Sequence, residues 1–347
     1  MADREAPHGR IAVPIPEGLI ETLSSFRRLV VVGHVRPDAD CLGSMLATAL
    51  IWPGEGGSGV AVSLPEGSLS QRLAFLADWA RVPVATSEDF AAADGFVVVD
   101  TAKRSRCNVD KSLGEAWVAG RTMIAIDHHL SNVGFGDINW IDPEAGSSAE
   151  LVYHLIRAAG REITPVVASL LYAGIHSDTV GFSLPTTSAS GLRAAAELVA
   201  AGARVAEIGE LLCRSQSRSE FDLHRIIYDN TRIVAGGRIA YSTASFEEIT
   251  RAGCSQSDID DQVTIPRSIR GIRMAILFSE GRKGRVRLNL RGETDVDVLG
   301  IATELGGGGH AQAAGAILDG TVDEAVARVL PMAIEQLDGE GGGGKID

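Results

Sequence analysis

The stretch that decides the fold is TMIAIDHH, residues 122–129, in which an apolar run ends in a carboxylate and two imidazoles. Two earlier runs end in the same manner, because LVVV at 29–32 leads into His34 and FVVV at 96–99 leads into Asp100. Short apolar runs of this kind are typical of buried strands in a parallel sheet. Ligands of open α/β sheets bind outside the carboxyl ends of the strands, so the three ends predict one metal or proton-transfer site.

Strand-like and helical stretches alternate through about residue 190, which predicts parallel strands joined by crossover helices. The predicted strands are LVVVG, GVAVS, FVVVD and TMIAID, and the predicted helices occupy 41–51, 69–76, 148–159 and 165–176. Two further stretches, 189–201 and 205–213, also look helical. Beyond about residue 214 come three hairpin-like strands (RIAYSTAS, GIRMAILFS and GRVRLNL), a helix at 296–305, a glycine loop and a last helix.

These patterns and the length of 347 residues predict two α/β domains. We expect the first to hold a mostly parallel sheet flanked by helices and the second to be a smaller α/β domain. The predicted divisions are an N-terminal extension (1–24), a catalytic domain (25–190), a helical linker (191–214), a second domain (215–337) and a flexible tail (338–347).

The formal net charge of -13 argues against a protein that coats long nucleic acid, because such binding relies on basic side chains. Residues 267–291 nevertheless hold eight basic side chains against one acid, which fits a short or compact anionic substrate. The four cysteines form no CxxC pair, so we expect reduced thiols and a cytoplasmic protein. No signal pattern or membrane-spanning apolar run is present in the sequence, so no membrane partner is expected.

The candidate ligands are five carboxylates and three imidazoles, namely His34, Asp38, Asp40, Asp100, Asp127, His128, His129 and Asp178. An oxygen-rich set with few imidazoles and no thiolate suits manganese, magnesium or iron better than structural zinc. A carboxylate such as Asp100 can bridge two ions, which together polarise a phosphoryl group and activate water. An isolated strand-end aspartate usually caps a helix instead. Four such clusters in chain order favour the metal site over independent caps.

Four segments, HVRPDAD, VVVDT, DHH and SDTVGF, resemble in that order the motifs of the DHH phosphoesterase family, which includes RecJ-like nucleases and family II pyrophosphatases. The run GGGGH at 306–310, followed by AQAAGA, resembles the signature of the DHH-associated domain. The resemblance extends over roughly residues 25–335. It implies a DHH catalytic domain at 25–190, a DHH-associated substrate-binding domain at 215–337, and an active site in the interdomain cleft.

The resemblance also implies two divalent metal ions, with Mn2+ expected and Mg2+ or Co2+ as alternatives. The implied ligands are His34, Asp38 and Asp100 for one ion, and Asp40, Asp100, His128 and Asp178 for the other. His129 is implied to face the reacting phosphate as an acid or hydrogen-bond donor, and Asp127 to orient an imidazole. We therefore treat His129 and Asp127 as the catalytic candidates, and a direct metal contact by Asp127 stays open.

Substrate contacts are expected from a glycine loop, because closely spaced backbone amides can bind an anion. The candidates are Arg106, Arg287, Arg291, Gly307, Gly308, Gly309 and His310. Asn289 stands where the resemblance leads us to expect an arginine. We expect Cys41 to be a small buried filler beside the site, and Ser147 and Ser148 to be helix N-caps.

The predicted activity is hydrolysis of short oligonucleotides to nucleoside monophosphates, and of 3'-phosphoadenosine 5'-phosphate (pAp) to AMP. An alternative is a phosphodiesterase acting on cyclic di-AMP or its linear product pApA, which the residues do not separate from the first. A third hypothesis, from another class, is a catalytically silent nucleotide-binding regulatory module. No long duplex DNA is expected as a partner, and the resemblance makes a homodimer plausible.

Overall fold

The computed structural model describes residues 12–57, 59–214, 216–259, 262–293 and 295–340. The chain divides into two compact units, Met1–Ser215 and Gln216–Asp347. The first eleven residues of the predicted extension and residues 341–347 of the predicted tail lie outside the described residues. Within the described part of the chain, no helix is long and apolar enough to span a bilayer.

The first unit is built on a five-stranded sheet in the order β2-β1-β3-β4-β5, with every neighbouring pair parallel. Its strands are β1 Leu29–Val32, β2 Val60–Val62, β3 Gly95–Val99, β4 Thr122–Asp127 and β5 Ile138–Ile141. The first, third and fourth are buried almost throughout, as expected for strands covered on both faces. The predicted α/β fold with a parallel sheet is confirmed, and the short fifth strand, INWI, is an addition.

In the described part of this unit, eight α-helices surround the sheet: α1 Leu19–Ser25, α2 Ala39–Ile51, α3 Ala74–Ala80, α4 Ser87–Ala92, α5 Ser148–Ala158, α6 Pro165–Asp178, α7 Ala189–Ala200 and α8 Val205–Cys213. The helix expected at 69–76 is instead a short 3-10 turn, Gln71–Leu73, followed by α3. Helices α2, α5 and α6 pack closely at Gly174, where a Cβ atom would lie 2.7 Å from both Ala149 Cβ and Asp40 Oδ1. This close packing brings the beginning of α5 to the carboxyl edge of the sheet.

Two segments expected outside the catalytic domain pack into the core of the first unit. Residues 191–214, expected as a linker, lie mostly in α7 and α8, whose Leu198 and Ile208 are fully buried in that core. In the predicted N-terminal extension, Leu19 of α1 is fully buried, and the Trp140 indole donates a hydrogen bond to the Val13 carbonyl oxygen at 3.0 Å. Both segments therefore stabilise the sheet that carries the candidate site.

The second unit holds a six-stranded sheet in the order β10-β11-β9-β8-β7-β6. Its strands are β6 Arg232–Val234, β7 Ile239–Ala244, β8 Met274–Arg282, β9 Arg285–Gly292, β10 Gly308–His310 and β11 Ala313–Asp319. Its helices are α9 Arg218–Asp229, α10 Phe246–Arg251, α11 Gln256–Ile259, α12 Thr264–Arg267, α13 Leu299–Glu304 and α14 Val322–Glu340.

Three local expectations for this unit are corrected. Strands β7 and β8 are parallel rather than a hairpin, because α10 to α12 lie in the connection between them, whereas β8 and β9 do form an antiparallel pair. Part of the expected glycine loop is the edge strand β10, paired with β11. The last helix continues to Glu340, so the predicted tail begins as helix.

Candidate metal centre

Three candidate ligands meet at the carboxyl end of β1. His34 Nε2 lies 3.4 Å from Asp100 Oδ2 and 3.8 Å from Asp38 Oδ2. The other oxygen of Asp38 accepts a hydrogen bond from the Cys41 amide at 3.0 Å and caps α2. Capping and metal binding are thus compatible at this residue, because each uses a different carboxylate oxygen.

A second group forms around His128, directly after β4. His128 Nε2 lies 3.1 Å from Asp178 Oδ2 and 3.5 Å from Asp100 Oδ1. Ligand atoms of Asp40, His128 and Asp178 all lie within 4.8 Å of one another. Asp100 therefore presents one oxygen to each group, which is the arrangement that a carboxylate bridging two ions requires.

The tautomers of the two imidazoles also fit metal ligation. His34 Nδ1 is 2.9 Å from the Val35 carbonyl oxygen, and His128 Nδ1 is 3.3 Å from that of Ala145. Because a carbonyl can only accept, each Nδ1 carries a proton, and Nε2 is the nitrogen directed at the carboxylates and able to give its lone pair to a metal ion once its own proton is displaced. Ligating histidines usually donate their second nitrogen in this manner.

The clustered carboxylates of the site favour the binding of cations. Burial, together with the neighbouring Asp100 carboxylate, raises the pKa of Asp38, and raises that of Asp40 well above its usual range. Burial lowers the pKa of His128, but the hydrogen bond to Asp178 and the charges of Asp40 and Asp100 outweigh it and raise the value to about 10. Four ionised carboxylates, Asp38, Asp40, Asp100 and Asp178, would be balanced in charge by two divalent cations. The residues present therefore fit a two-ion site.

Asp127 lies outside both groups and has a different task. Its Oδ1 accepts hydrogen bonds from the His128 amide at 2.9 Å and from His129 Nδ1 at 2.7 Å. Its Oδ2 accepts one from Asn132 Nδ2 at 2.7 Å. The carboxylate is almost fully buried, and these bonds engage both of its oxygens. The geometry favours orientation of His129 over direct metal contact.

His129 is the most exposed imidazole of the site, with 37% of its side chain accessible. Its bond to Asp127 is the main cause of a raised pKa, and it directs Nε2 away from that carboxylate. The residue can therefore carry a proton on a nitrogen that a substrate can reach.

Backbone strain concentrates in the loops of the site. Arg36, Asp100, Val180 and Phe182 have φ angles of 56°, 51°, 48° and 65°, in the left-handed region that side chains with a Cβ rarely adopt. Each such residue costs on the order of 1–3 kcal/mol, and such strain is often found at functional sites. At Asp100 the strained turn follows β3 directly, and the Asp100 amide bonds to the Ile126 carbonyl oxygen of β4.

Cys41 is fully buried, and its sulfur accepts a hydrogen bond from the His34 amide at 3.3 Å. Burial and the charges of Asp100 and Asp38 raise the pKa of the thiol well above its usual range, so it remains protonated. Gly33 leaves the space that the sulfur fills. The geometry favours the filler interpretation over a thiolate ligand.

Of the substrate-binding candidates, Arg106 is in the first unit, and its carbonyl oxygen accepts the Val35 amide at 2.8 Å, beside the His34 loop. The others lie in the second unit. Side chains of β9 alternate: Leu288 and Leu290 join the core beneath α13 and α14, whereas Arg287, Asn289 and Arg291 occupy the opposite face.

The register places glycines beside these polar side chains. Gly315 of β11 pairs with Asn289 on one side and with Gly308 on the other. A Cβ at Gly307 would lie 2.7 Å from the Ala316 Cα, and one at Gly309 would lie 2.6 Å from the Ala314 Cα, so these two glycines are required by packing against β11. Gly308 has open space and remains the better candidate for close approach to an anion.

Two residues of the site were not recognised as such from sequence. Ser148 donates from Oγ to Asp100 Oδ1 at 2.9 Å, although it was expected to be a cap. Asn132 donates to Asp127 and, at 3.2 Å, to the Thr101 carbonyl oxygen, so it ties the loop after β4 to the loop after β3. Nothing in their local sequence indicates these partners.

Comparison with known proteins agrees with this geometry. The model of the DHH family N-terminal domain matches residues 28–175, and that of the DHHA1 domain matches residues 236–339. The chain belongs to the DHH phosphoesterase family, with a DHHA1 domain after the DHH domain. Membership in this family implies the use of divalent metal ions.

Among its relatives is the bifunctional oligoribonuclease and PAP phosphatase NrnA of Thermus thermophilus, 34% identical over 216 residues, which are 62% of this chain and 64% of that protein. The alignment thus spans less than two thirds of that relative. The enzyme of the same name from Bacillus subtilis is 29% identical over 305 residues, 86% of this chain and 91% of that protein. An exopolyphosphatase-related protein from Bacteroides fragilis shares the fold, with a TM-score of 0.81, 24% identity and coverage of 94% and 98% of the two chains.

Proposed function

We propose that this protein is a Mn2+-dependent phosphoesterase that hydrolyses short oligonucleotides to nucleoside monophosphates and pAp to AMP. The observation that carries the proposal is the position of Asp100, which directs one carboxylate oxygen to the His34 group and the other to the His128 group. The names of the Thermus and Bacillus relatives support the substrate class.

Each part of the site has a role in such a reaction. When bound, two divalent ions supply the charge that polarises the phosphoryl group and activates water. His34, Asp38, Asp40, Asp100, His128 and Asp178 would hold those ions. His129 Nε2 would donate a hydrogen bond to the phosphate and protonate the leaving oxygen, while Asp127 holds Nδ1–H and stabilises the imidazolium. Manganese is proposed as the ion because the ligand set is oxygen-rich with two imidazoles.

We further propose that the second unit binds the nucleotide part of the substrate through Arg287, Arg291, Gly308 and His310. In the first unit, Arg106 is proposed to bind a phosphate group. Paired guanidinium groups suit phosphate, because each can donate two parallel hydrogen bonds. A cytoplasmic location is proposed on the cysteine pattern of the sequence, which holds no CxxC pair, and a homodimer is proposed on family membership alone.

The test is turnover of five substrates by the purified protein in manganese: pApA, a 5-mer RNA, a 24-mer RNA, pAp and cyclic di-AMP. The control is Asp100→Asn, which preserves shape and tolerates a left-handed φ but removes the charge. Rapid hydrolysis of pAp and the short linear species, lost in the variant, is expected. A preference for cyclic di-AMP would replace the proposal with second-messenger hydrolysis. Nucleotide binding without turnover would favour the regulatory module.

A further inference from the structure

The turn that begins α5 contacts three of the candidate metal ligands. The Ala145 carbonyl oxygen accepts from His128 Nδ1 at 3.3 Å. The amides of Ser148 and Ala149 donate to the two oxygens of Asp40 at 2.7 Å and 2.8 Å. Asp40 is therefore held through its whole carboxylate by the amino end of a helix that lies more than 100 residues further along the chain.

The two consecutive serines at this turn have different hydrogen-bond partners. Ser147 Oγ accepts a hydrogen bond from the Glu150 amide at 3.1 Å and caps α5. Ser148 Oγ instead donates to Asp100 Oδ1 at 2.9 Å. Both serines are fully buried, so the two hydroxyls differ in partner rather than in environment.

The Ser148 hydroxyl meets Asp100 at the oxygen that faces His128. An sp² carboxylate oxygen has two lone pairs. The hydroxyl engages one of them and leaves the other toward His128 Nε2, 3.5 Å away. Rotation of the carboxylate about its Cβ–Cγ bond would break this hydrogen bond, and it would also move the second oxygen away from His34, 3.4 Å distant. The hydroxyl thus opposes a side-chain rotation that would end simultaneous contact with both groups.

We propose that Ser148 is a positioning residue that sets the affinity of the site for its pair of divalent ions by fixing the rotation of the Asp100 carboxylate. The inference rests on the proposed function only for the identity of the substrate. Ser148 contacts no substrate in this proposal. Loss of its hydroxyl is therefore expected to weaken metal binding directly, and substrate binding only as a consequence.

The test compares Ser148→Ala with Ser147→Ala, a matched control at the same helix end that loses a backbone cap but leaves Asp100 untouched. Mn2+ binding is measured by isothermal titration calorimetry, and thermal unfolding is followed in EDTA. Outer-shell partners of metal ligands typically contribute 10- to 100-fold in affinity, so about a tenfold rise in the Mn2+ dissociation constant is expected for Ser148→Ala. Ser147→Ala is expected to lower the unfolding temperature while binding Mn2+ as the wild type does.

Two further variants separate positioning from simple packing. Ser148→Thr keeps the hydroxyl and should restore most of the Mn2+ affinity, whereas Ser148→Cys keeps the shape with a weaker donor and should bind Mn2+ less tightly than the threonine variant. At saturating Mn2+ the KM for pAp should stay within about twofold of the wild-type value for Ser148→Cys. Because cysteine is nearly isosteric with serine, this variant tests the proposal even where alanine fails to fold.

Wild-type Mn2+ affinity in Ser148→Cys, or an equal loss in Ser147→Ala, would overturn the proposal. Failure of the proposed function has a different signature. In that case the wild type hydrolyses none of the five substrates, yet the ranking of Mn2+ dissociation constants among the serine variants can still be measured.

Discussion

His129 differs from the other two site histidines in the partner of its Nδ1. His34 and His128 donate to backbone carbonyl oxygens, whereas His129 donates to the buried Asp127 carboxylate at 2.7 Å. A carbonyl fixes a tautomer, and a carboxylate additionally stabilises a positive ring. The three imidazoles are therefore suited to two tasks, ligation for the first two and proton transfer for the third.

Asp127→Asn tests this division at the scale of one residue. The amide preserves shape but removes the charge that stabilises the imidazolium, and it no longer enforces the Nδ1–H tautomer. We expect kcat for pAp to fall by at least about 100-fold, since the same replacement beside a catalytic histidine costs about four orders of magnitude in serine proteases. Mn2+ affinity should change by less than a factor of about three, because the proposed site places Asp127 behind His129 rather than among the ligands of either ion.

Steady-state kinetics and titration calorimetry give the two values. Asp137→Asn is the control, because the Asp137 carboxylate also accepts a hydrogen bond at one end of β4, from the Met123 amide, but at the strand's amino end. A large loss of Mn2+ affinity in Asp127→Asn with kcat retained at saturating metal would assign Asp127 to the metal instead.

The ligand candidates could be predicted from sequence because each stands at the end of an apolar run or helix, where position along the chain determines position on the sheet edge. Ser148 and Asn132 could not be predicted from the sequence in this way. The partner of Ser148 is Asp100, 48 residues away, and only the packing of α5 against the sheet brings the two together. With two adjacent serines before a helix, propensity indicates a cap but not which hydroxyl makes it.

At the scale of elements, the beginning of α5 is held by the buried carboxylate of Glu150. Its Oε2 accepts the Gly146 amide at 3.0 Å, and His154 and Ser188 lie near Oε1. Burial raises the pKa of Glu150, but hydrogen bonds from His154, Gly146 and Ser190 outweigh it, so the value lies below the usual one. The ionised form therefore stabilises the turn that holds Asp40 and Asp100.

Glu150→Gln should accordingly lower the free energy of unfolding by about 1–3 kcal/mol at pH 7, the usual cost of disturbing a buried charged hydrogen bond. A group whose pKa is lower in the folded state stabilises the protein above its unfolded pKa, near 4.5 for this residue. That contribution is lost as the pH falls through the folded pKa. The difference in the free energy of unfolding between the wild type and Glu150→Gln should therefore be largest at pH 7 and shrink below about pH 4.5.

Urea unfolding in EDTA at several pH values measures this difference. Glu197→Gln is the control, because Glu197 also accepts a side-chain hydrogen bond, from Tyr153, but is about half exposed. A destabilisation of Glu150→Gln that is equal at pH 7 and pH 4 would show that packing rather than ionisation is responsible.

The face of β9 that carries Arg287, Asn289 and Arg291 is the proposed phosphate-binding face of the second unit. Arg291→Ala should raise the KM for pAp by about tenfold or more, because hydrogen bonds to charged groups contribute about 1.5–3 kcal/mol. Arg285→Ala removes a similar charge from the same face and strand, but Arg285 lies beside Asp319 at the far end. The control should change KM by less than about twofold. Equal effects of the two substitutions would mean that only the overall charge matters.

Strands were predictable where the apolar run is uninterrupted, which is why β1, β3 and β4 follow from sequence, as do most long helices. Strands β5, β6 and β10 (INWI, RIV and GGH) include polar residues or glycine, so no uninterrupted apolar run marks them. The parallel pairing of β7 with β8 depends on the small helices between them. A parallel pair needs a long connection that returns the chain to the same end of the sheet. The sequence pattern did not indicate the helices of this connection, so the parallel pairing could not be predicted.

For the molecule as a whole, the net charge of -13 argues against a substrate with many phosphates, because such binding relies on basic side chains. We predict that the KM for pAp rises by less than about 20-fold between about 50 and 200 mM NaCl, the change that two or three phosphate contacts would produce. Kinetics across that salt range test this. A change of a thousandfold, or a 24-mer RNA bound more tightly than pAp, would indicate an extended nucleic-acid surface.

Asp100 is proposed to join two ion sites, so the number of ions bound per chain is the decisive measurement. Titration calorimetry and metal analysis of the dialysed protein are predicted to find two Mn2+ per chain in the wild type and weakened binding of both in Asp100→Asn. Asp38 lies only in the His34 group, so Asp38→Asn should weaken the binding of one ion and leave the binding of the other unchanged. A fully active enzyme with a single ion per chain, or wild-type affinity for both ions in Asp100→Asn, would contradict this role of Asp100.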